Sequence, residues 1–254
     1  MLAVERRKRI LQILHREGIV KVSQLSRKFN VSEETVRRDL AKLEQRGGFA
    51  RTYGGAYITR NVNPDIDVNV REEFYREGKE DIGKLCAEMV DDGDTIILDS
   101  STTALHIAEK IMGKEHLTVI TNAVKVITTL SGNSSLKIIC TGGTVRNRSL
   151  SFIGPEAEMT LSRYFADKAF VSCTGADIAH GLTDTNEQDA SIRRIMFHQA
   201  AKRILIADVT KFDKTAFSSI STFDDVSTVV SDKILSAEWE DFFKRRNIVH
   251  LYSV

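Results

Sequence analysis

The chain has 254 residues, 42% of them hydrophobic and 28% charged, with a formal net charge of +1. That length holds one large or two moderate domains with a real core, in the composition of an ordinary soluble globular protein. Three scattered cysteines (Cys86, Cys140, Cys173), with no C-x-x-C pair and no histidine at ligand spacing, exclude a disulfide framework and a structural zinc site.

The N-terminus shows no apolar core of signal-peptide length, and no run approaches 18 apolar residues. No membrane partner and a cytoplasmic location are therefore expected. The near-neutral total hides an asymmetry. Residues 1–60 carry 14 Lys and Arg against 6 Asp and Glu, a balance of +8, and the remainder carries 22 against 29, a balance of −7. A basic head on an acidic body predicts a polyanionic partner for the head alone.

Residues 2–16 read as a helix with Val4, Ile10, Leu11 and Leu14 on one face and Gly18 as its stop. Residues 21–30 read as a shorter helix carrying Val22, Leu25 and Phe29. Asn30 and Val31 then make a tight turn into Ser32, which stands where an N-cap belongs. Glu33 and Glu34 fill the first turn of the third helix, residues 32–46, where carboxylates suit the helix dipole. Its back is Val36, Leu40 and Leu43; its front is Glu34, Arg38, Ala41 and Lys42, flanked by Thr35 and Arg37. Such a front neutralises phosphate and hydrogen-bonds base edges. Taken alone it equally describes a solvated surface helix laced with i,i+4 ion pairs. The neighbouring elements decide, because two short helices joined by a tight turn form a helix-turn-helix. Gly47-Gly48 follows, and the short runs around Gly54-Gly55 read as a β-hairpin. A hairpin directly after such a helix is a wing, with Arg51 placed to reach phosphate or the minor groove.

These residues resemble the amino-terminal domain of DeoR-family bacterial transcription regulators. The resemblance is carried by Glu5 and Arg6 with Ile10 and Leu14, by Val22, Ser23 and Leu25, and by Val31, Ser32, Thr35, Val36, Arg37, Arg38, Asp39 and Leu40. It continues through Leu43 and Glu44 to Arg51, Gly54, Gly55 and Ala56. Tyr53 stands where the family commonly has His, and the Gly47-Gly48 pair is unusual. The resemblance implies a winged helix-turn-helix whose third helix enters the major groove of double-stranded operator DNA. Phosphate contacts are expected from Ser32, Thr35, Lys42 and Arg51, and base-edge contacts from Glu34, Arg37 and Arg38, with Lys21 in the same DNA-facing set. Paired half-sites about one helical turn (~34 Å) apart require at least a dimer.

Residues 61–76, with Pro64 among turn formers, read as a linker between a DNA-binding domain (1–60) and a sensor and oligomerisation domain (77–254). A helix from about Glu77 carries Ile82, Leu85, Cys86 and Met89 and stops before Gly93. From Asp94 the text changes to short apolar runs alternating with helical stretches: residues 95–98, 117–121, 136–140, 168–173, 203–207, 227–230 and 248–252. Continuous apolar runs suit strands covered on both faces, and the alternation predicts a mainly parallel α/β sheet. Ligands in such sheets sit at the carboxyl ends of strands.

Polar segments stand at those ends. Asp99-Ser100-Ser101-Thr102-Thr103 opens a helix; its amides and hydroxyls make an anion site, or simply cap the helix. Thr141-Gly142-Gly143-Thr144 with Arg146 and Arg148, then Cys173-Thr174-Gly175-Ala176-Asp177, then Asp208 with Lys211 and Phe212, follow at successive ends. Two Gly-rich turns, two Arg, an Asp and a Lys suit a phosphorylated polyol. The cysteines are expected as buried free thiols, and Trp239, Phe242 and Phe243 as core packing. The six histidines form no metal spacing and no triad.

The DeoR resemblance covers nearly the whole chain. Asp92-Gly93-Asp94, Thr121-Asn122, Gly142-Gly143, Ser151-Phe152 with Gly154, Asp167-Lys168 with Phe170, Gly181-Leu182-Thr183 and Asp208 with Lys211-Phe212 are similar to the family's sensor domain. That fold is related to ribose-5-phosphate isomerase. The resemblance implies a homo-oligomer, dimer or tetramer, with no cofactor and no metal, acting as a repressor of a carbohydrate-utilisation operon released by a phosphorylated sugar. Its effector set would be Asp99, Ser100, Ser101, Thr102, Thr103, Asn122, Gly142, Gly143, Arg146, Cys173, Gly175, Asp177, Glu187 and Lys211. Ser101 replaces a glycine usual in the family. This variant loop, with Ser149 to Pro155, Ser172-Cys173 and Asp184 with Asn186-Glu187, is similar to that of members governing deoxysugar use (rhamnose, fucose), which points to a deoxyhexulose phosphate. The competing expectation is a sugar-phosphate isomerase-like enzyme, with Asp177 or Asp99 as base and Lys211 as electrophile.

Overall fold

The computed structural model describes residues 2–17, 19–44, 49–52, 54–58, 68–73 and 75–253. The chain divides into two units, Met1–Arg76 and Glu77–Val254. The first runs α1 (Ala3–Glu17), β1 (Ile19–Lys21), α2 (Val22–Phe29), α3 (Glu33–Glu44), β2 (Phe49–Thr52), β3 (Gly55–Ile58) and α4 (Val68–Glu73). Its core is Ile10, Leu11, Leu14, Val22, Leu25, Val36, Leu40, Leu43 and Phe49, so each helix buries the stripe its spacing assigns, with one correction. Val4 is 72% exposed. Counting back from Ile10 by three and four lands on Arg7 and Arg6, and these, not Val4, share the inward side of α1.

The hairpin β2–β3 gains a third strand, giving the antiparallel order β1-β3-β2. A three-residue strand carries too little alternation to be read in advance. Gly55 has a physical reason: a Cβ there would lie 1.9 Å from the Val20 carbonyl oxygen, so only glycine lets β1 and β3 approach. Gly18, Gly47-Gly48, Tyr53, Pro64 and the start of the expected linker lie outside the described residues. Helix α4 lies within the 61–76 segment.

The second unit runs α5 (Arg76–Glu88), β4 (Thr95–Leu98), α6 (Thr102–Lys110), β5 (Thr118–Thr121), α7 (Val124–Leu130), β6 (Lys137–Cys140), β7 (Thr144–Arg146), β8 (Ser151–Ile153) and α8 (Pro155–Leu161). It continues through β9 (Ala166–Val171), β10 (Gly175–Asp177), β11 (Gly181–Asp184), α9 (Glu187–His198), β12 (Ala200–Ile206), β13 (Ser218–Ser221), β14 (Thr228–Ser231), α10 (Ala237–Arg245) and β15 (Val249–Tyr252). Seven strands form one all-parallel sheet in the order β15-β14-β12-β9-β4-β5-β6. They are the seven apolar runs of the sequence.

The period of two sorts each strand between two cores. Ile97, Ala169, Val171 and Leu205 pack on one face. Ile96, Leu98, Phe170, Ile204 and Ile206 pack on the other. The short polar strands β7–β8 and β10-β11-β13 form two separate antiparallel sheets. Cys86 and Cys173 are buried as expected, whereas Cys140 is exposed, because it ends the edge strand β6.

Strand order locates the crevice. From β4 the chain steps outward through β5 to β6, then returns to β9 on the other side of β4 and steps away through β12, β14 and β15. The loops leaving β4 and β9 therefore diverge, and the gap at their carboxyl ends is where doubly wound sheets receive ligands.

Candidate functional site

In the first unit, α3 is capped as its sequence demands. Ser32 Oγ accepts from the Thr35 amide at 3.2 Å and bonds the Thr35 hydroxyl at 2.9 Å. Glu34, Arg38 and Lys42 are exposed, with Thr35 and Arg37 half-buried beside them. Arg37 pairs with Glu33 at 2.7 Å and Arg38 with Glu34 at 3.4 Å, each one turn away. Such exposed pairs are worth a few tenths of a kcal/mol, ~0.3–0.5, and exchange readily for a phosphate or base. Arg51 holds the wing to the end of α3: its amide and its guanidinium both donate to the Glu44 carboxylate, the amide at 2.9 Å. Burial alone would raise that carboxyl; the Arg51 bonds outweigh it and hold it below its ordinary range. Lys21 is exposed at the end of β1, ahead of α2.

Two basic residues were not selected from the sequence. Arg6 is buried and donates to Asp39 at 2.6 Å, with Arg7 on the same carboxylate at 3.4 Å. The pair fixes α1 to the back of α3. Arg7 then lines one shallow groove together with Thr35, Arg38 and Lys42. An i,i+33 partnership leaves no periodic trace, so sequence spacing had no means of finding it.

In the second unit, the carboxyl end of β4 meets that of β9 through Asp99. This residue is wholly buried. It accepts from the Ser101 amide at 3.0 Å, the Ser172 amide at 3.0 Å and Arg193 Nε at 2.8 Å. Arg193, itself buried on α9, reaches on to Asp184 at the end of β11. Asp99 is thus a brace between the two diverging loops, with one donor on Oδ1 and two on Oδ2. Ser101 caps α6, accepting from Ala104 N at 3.0 Å. Among the described residues the amides of Thr102 and Thr103 meet no protein acceptor, as the first turn of a helix dictates. Ser100, Ser101, Thr102 and Thr103 are each less than a tenth exposed.

Beside them, at the end of β5, Asn122 is 1% exposed and donates Nδ2 to the Phe152 carbonyl at 3.0 Å. Its Oδ1 is buried with no donor among the described residues.

On the other side of β9, Cys173 is buried, and burial pushes its thiol up to about 12 against the pull of the Lys211 and Arg193 charges. Asp208 ends β12 and caps the next turn through Thr210 N at 3.0 Å. Burial would raise its carboxyl, but Lys211, the Thr210 bonds and Lys79 outweigh burial and hold it low. Lys211 is half-buried on that turn.

The remaining predicted residues make contacts of their own. Arg146, on β7, pairs with Asp189 at 2.8 Å. Asp177 closes the β10–β11 turn, accepting from Ala179 N, His180 N and the His180 ring, and is held low first by that ring. It is a turn carboxylate. A Cβ at Gly175 would lie 2.5 Å from the Lys214 carbonyl oxygen, and one at Gly143 2.7 Å from that of Ile153, so both glycines serve close backbone packing. Gly142, at φ +65°, takes the left-handed turn. Glu187 is exposed in the first turn of α9.

Trp239 packs edge-on to Phe212 at 5.0 Å and donates to Asp213 at 2.8 Å, as core packing requires. His250 bonds both Ser231 and Glu240, at 2.8 and 2.6 Å, a chain the sequence had not shown. Ser231 is wholly buried and also donates to the Lys233 carbonyl, so the arrangement ties β14, β15 and α10 together and presents no nucleophile. Among the described residues no group of His, Cys, Asp or Glu is arranged to hold a metal ion, and no helix is long and apolar enough to cross a membrane.

Comparison with known proteins agrees with this division. Residues 6–62 match the DeoR-like helix-turn-helix domain and residues 75–233 the DeoR C terminal sensor domain. An uncharacterised HTH-type transcriptional regulator, YulB of Bacillus subtilis (strain 168), is 40% identical over 91% of this chain and 90% of its own. A putative aga operon transcriptional repressor of Escherichia coli O157:H7 is 31% identical over 92% and 88%. The HTH-type transcriptional repressor GlcR of Bacillus subtilis (strain 168) is 30% identical over 96% and 94%. Among solved structures, a D-ribose-5-phosphate isomerase in complex with phospho-erythronic acid overlaps 54% of each chain at 12% identity and a TM-score of 0.41. The capped helix with its cationic front, the wing and the parallel sheet are the parts of one known kind of protein, and the chain belongs to the DeoR family of helix-turn-helix transcriptional regulators.

Proposed function

We propose that the protein represses a carbohydrate-utilisation operon and leaves its operator when a phosphorylated sugar binds the second unit. Residues 1–60 would serve as the DNA-binding domain, 61–76 as the linker, and 77–254 as the sensor and oligomerisation domain of a dimer or tetramer. Base edges are read by Glu34, Arg37 and Arg38, and phosphates are held by Lys21, Ser32, Thr35, Lys42 and Arg51.

The observation that carries the effector reading is the free first turn of α6 at the switch point. Unpartnered amides of Thr102 and Thr103 and hydroxyls of Ser100 to Thr103 stand at the positive end of a helix, which suits a phosphate. The orphan Oδ1 of Asn122 beside it accepts from a sugar hydroxyl. Release follows if the effector binds the DNA-incompetent arrangement more tightly, since only differential affinity shifts a population.

The relatives' printed names agree in kind, one being a putative repressor of the aga operon. The isomerase-like alternative is not favoured, because the relatives that the chain matches over most of its length are named as transcriptional regulators. Titrating the protein on its own upstream DNA with and without a panel of aldose and ketose phosphates tests the reading. At least one compound should weaken operator binding; identical affinity with all of them sinks the proposal.

A further inference from the structure

The end of β12 holds positive charge that phosphate binding at α6 leaves unused. Among the described residues the Lys211 ammonium has no hydrogen bond and no ion pair. Lys79 of α5 is 5% exposed and lies close enough to Asp208 to act on its carboxyl. Lys214 folds back over the same turn, donating to the Thr210 carbonyl, and is held below its ordinary range by burial and by the like charge of Lys211. Two carboxyls oppose these cations. Asp208 is held below its ordinary range, whereas burial raises Asp232, which accepts from Val209 N at 2.8 Å. Cys173 stays a thiol and adds no negative charge. Three lysines thus gather at one strand end, in a stretch of chain whose overall balance is −7.

The sheet sets the distance between this cluster and α6. Strand β12 is two places from β4. At ~4.8 Å per step the two ends lie roughly 10 Å apart, on either side of the β9 loop. An open chain of six carbons with a terminal phosphate reaches about as far.

We propose that Lys211 forms a second anion subsite, so that the effector is anionic at both ends: a phosphate ester at the first turn of α6 and a carboxylate or second phosphate at Lys211. Its class is a phosphorylated sugar acid or a sugar bisphosphate. The inference rests on the sugar-phosphate reading above.

Calorimetric titration of the full chain with matched pairs tests it: aldose 6-phosphates against the aldonic acid 6-phosphates of the gluco, manno and galacto series, and fructose 6-phosphate against fructose 1,6-bisphosphate. In at least one pair the two-headed compound should bind about tenfold tighter or more, the size of one charge-assisted hydrogen bond. Lys211→Met should close that gap, and Lys211→Arg should keep it. The acid and bisphosphate arms tell the two sources of the second anion apart. Equal affinities within every pair, or an equal loss of both members in Lys211→Met, overturn the second subsite and leave the phosphate site standing. If no phosphate compound binds at all, the sugar-phosphate reading fails first and this inference falls with it.

Discussion

Arg37 and Arg38 lie outward on α3 and pair with Glu33 and Glu34 one turn back, whereas Arg193 lies inward, enclosed between Asp99 and Asp184. The same side chain does different work in the two units. On α3 the solvent screens each pair, so the guanidinium exchanges its partner at little cost. Between β4, β9 and α9 there is no solvent to replace a lost partner, so the guanidinium is committed to holding loops. Charge used for recognition is left accessible, and charge used for shape is enclosed. Arg6 with Asp39 shows that the first unit applies the second rule too, behind its recognition face.

The strongest way to break this contrast is to remove one member of the enclosed network. Arg193→Met should destabilise the second unit by about 3–5 kcal/mol, because Asp99 and Asp184 are left as buried unpaired charges. Urea unfolding followed by Trp239 fluorescence reads that unit alone, since Trp239 is the chain's single tryptophan. A loss below about 1 kcal/mol would mean that the network is as screened as the surface pairs.

Arg38→Ala should leave stability within about 0.5 kcal/mol but weaken operator binding by about 1–3 kcal/mol, with much less effect on scrambled DNA. Equal losses on both DNAs assign Arg38 to phosphate. Ser101→Ala should cost about 1 kcal/mol by uncapping α6 and should also weaken phosphate binding; Ser32→Ala costs a similar amount at α3 but touches only DNA affinity. Lys42→Ala sharpens the recognition side: the slope of log K against log salt should fall by about 0.9, the share of one phosphate contact.

The smallest effect concerns acid. The Asp208 carboxyl is held below 3.8 in the folded state, so its contribution is full above that value and is lost as pH falls through the folded value. Asp208→Asn should flatten the acid limb of a stability profile below pH 3.8 and leave its alkaline side unchanged.

Much of this molecule was legible before folding. The α3 cap at Ser32, the apolar back of Val36, Leu40 and Leu43, and the seven parallel strands all express local rules, periods of 3.6 or an unbroken apolar run. What misled was also local. Val4 looked like part of a stripe that Arg6 occupies, because a buried arginine is recognisable only through its partner 33 residues away. The bracing role of Asp99 was also hidden, because nothing adjacent to it announces Arg193 or the Ser172 amide.

Composition and spacing by themselves determined a basic capped helix with a wing ahead of a parallel sheet, and hence a regulator's two-part plan. Tertiary structure alone decided which polar residues at the strand ends remain open. Among the described residues the amides of Thr102 and Thr103 meet no protein acceptor, whereas Asp99 is held by the Ser172 amide and Arg193, which arrive from distant segments. Hydrogen-bond satisfaction depends on who arrives from elsewhere in the chain, and no linear pattern encodes that arrival.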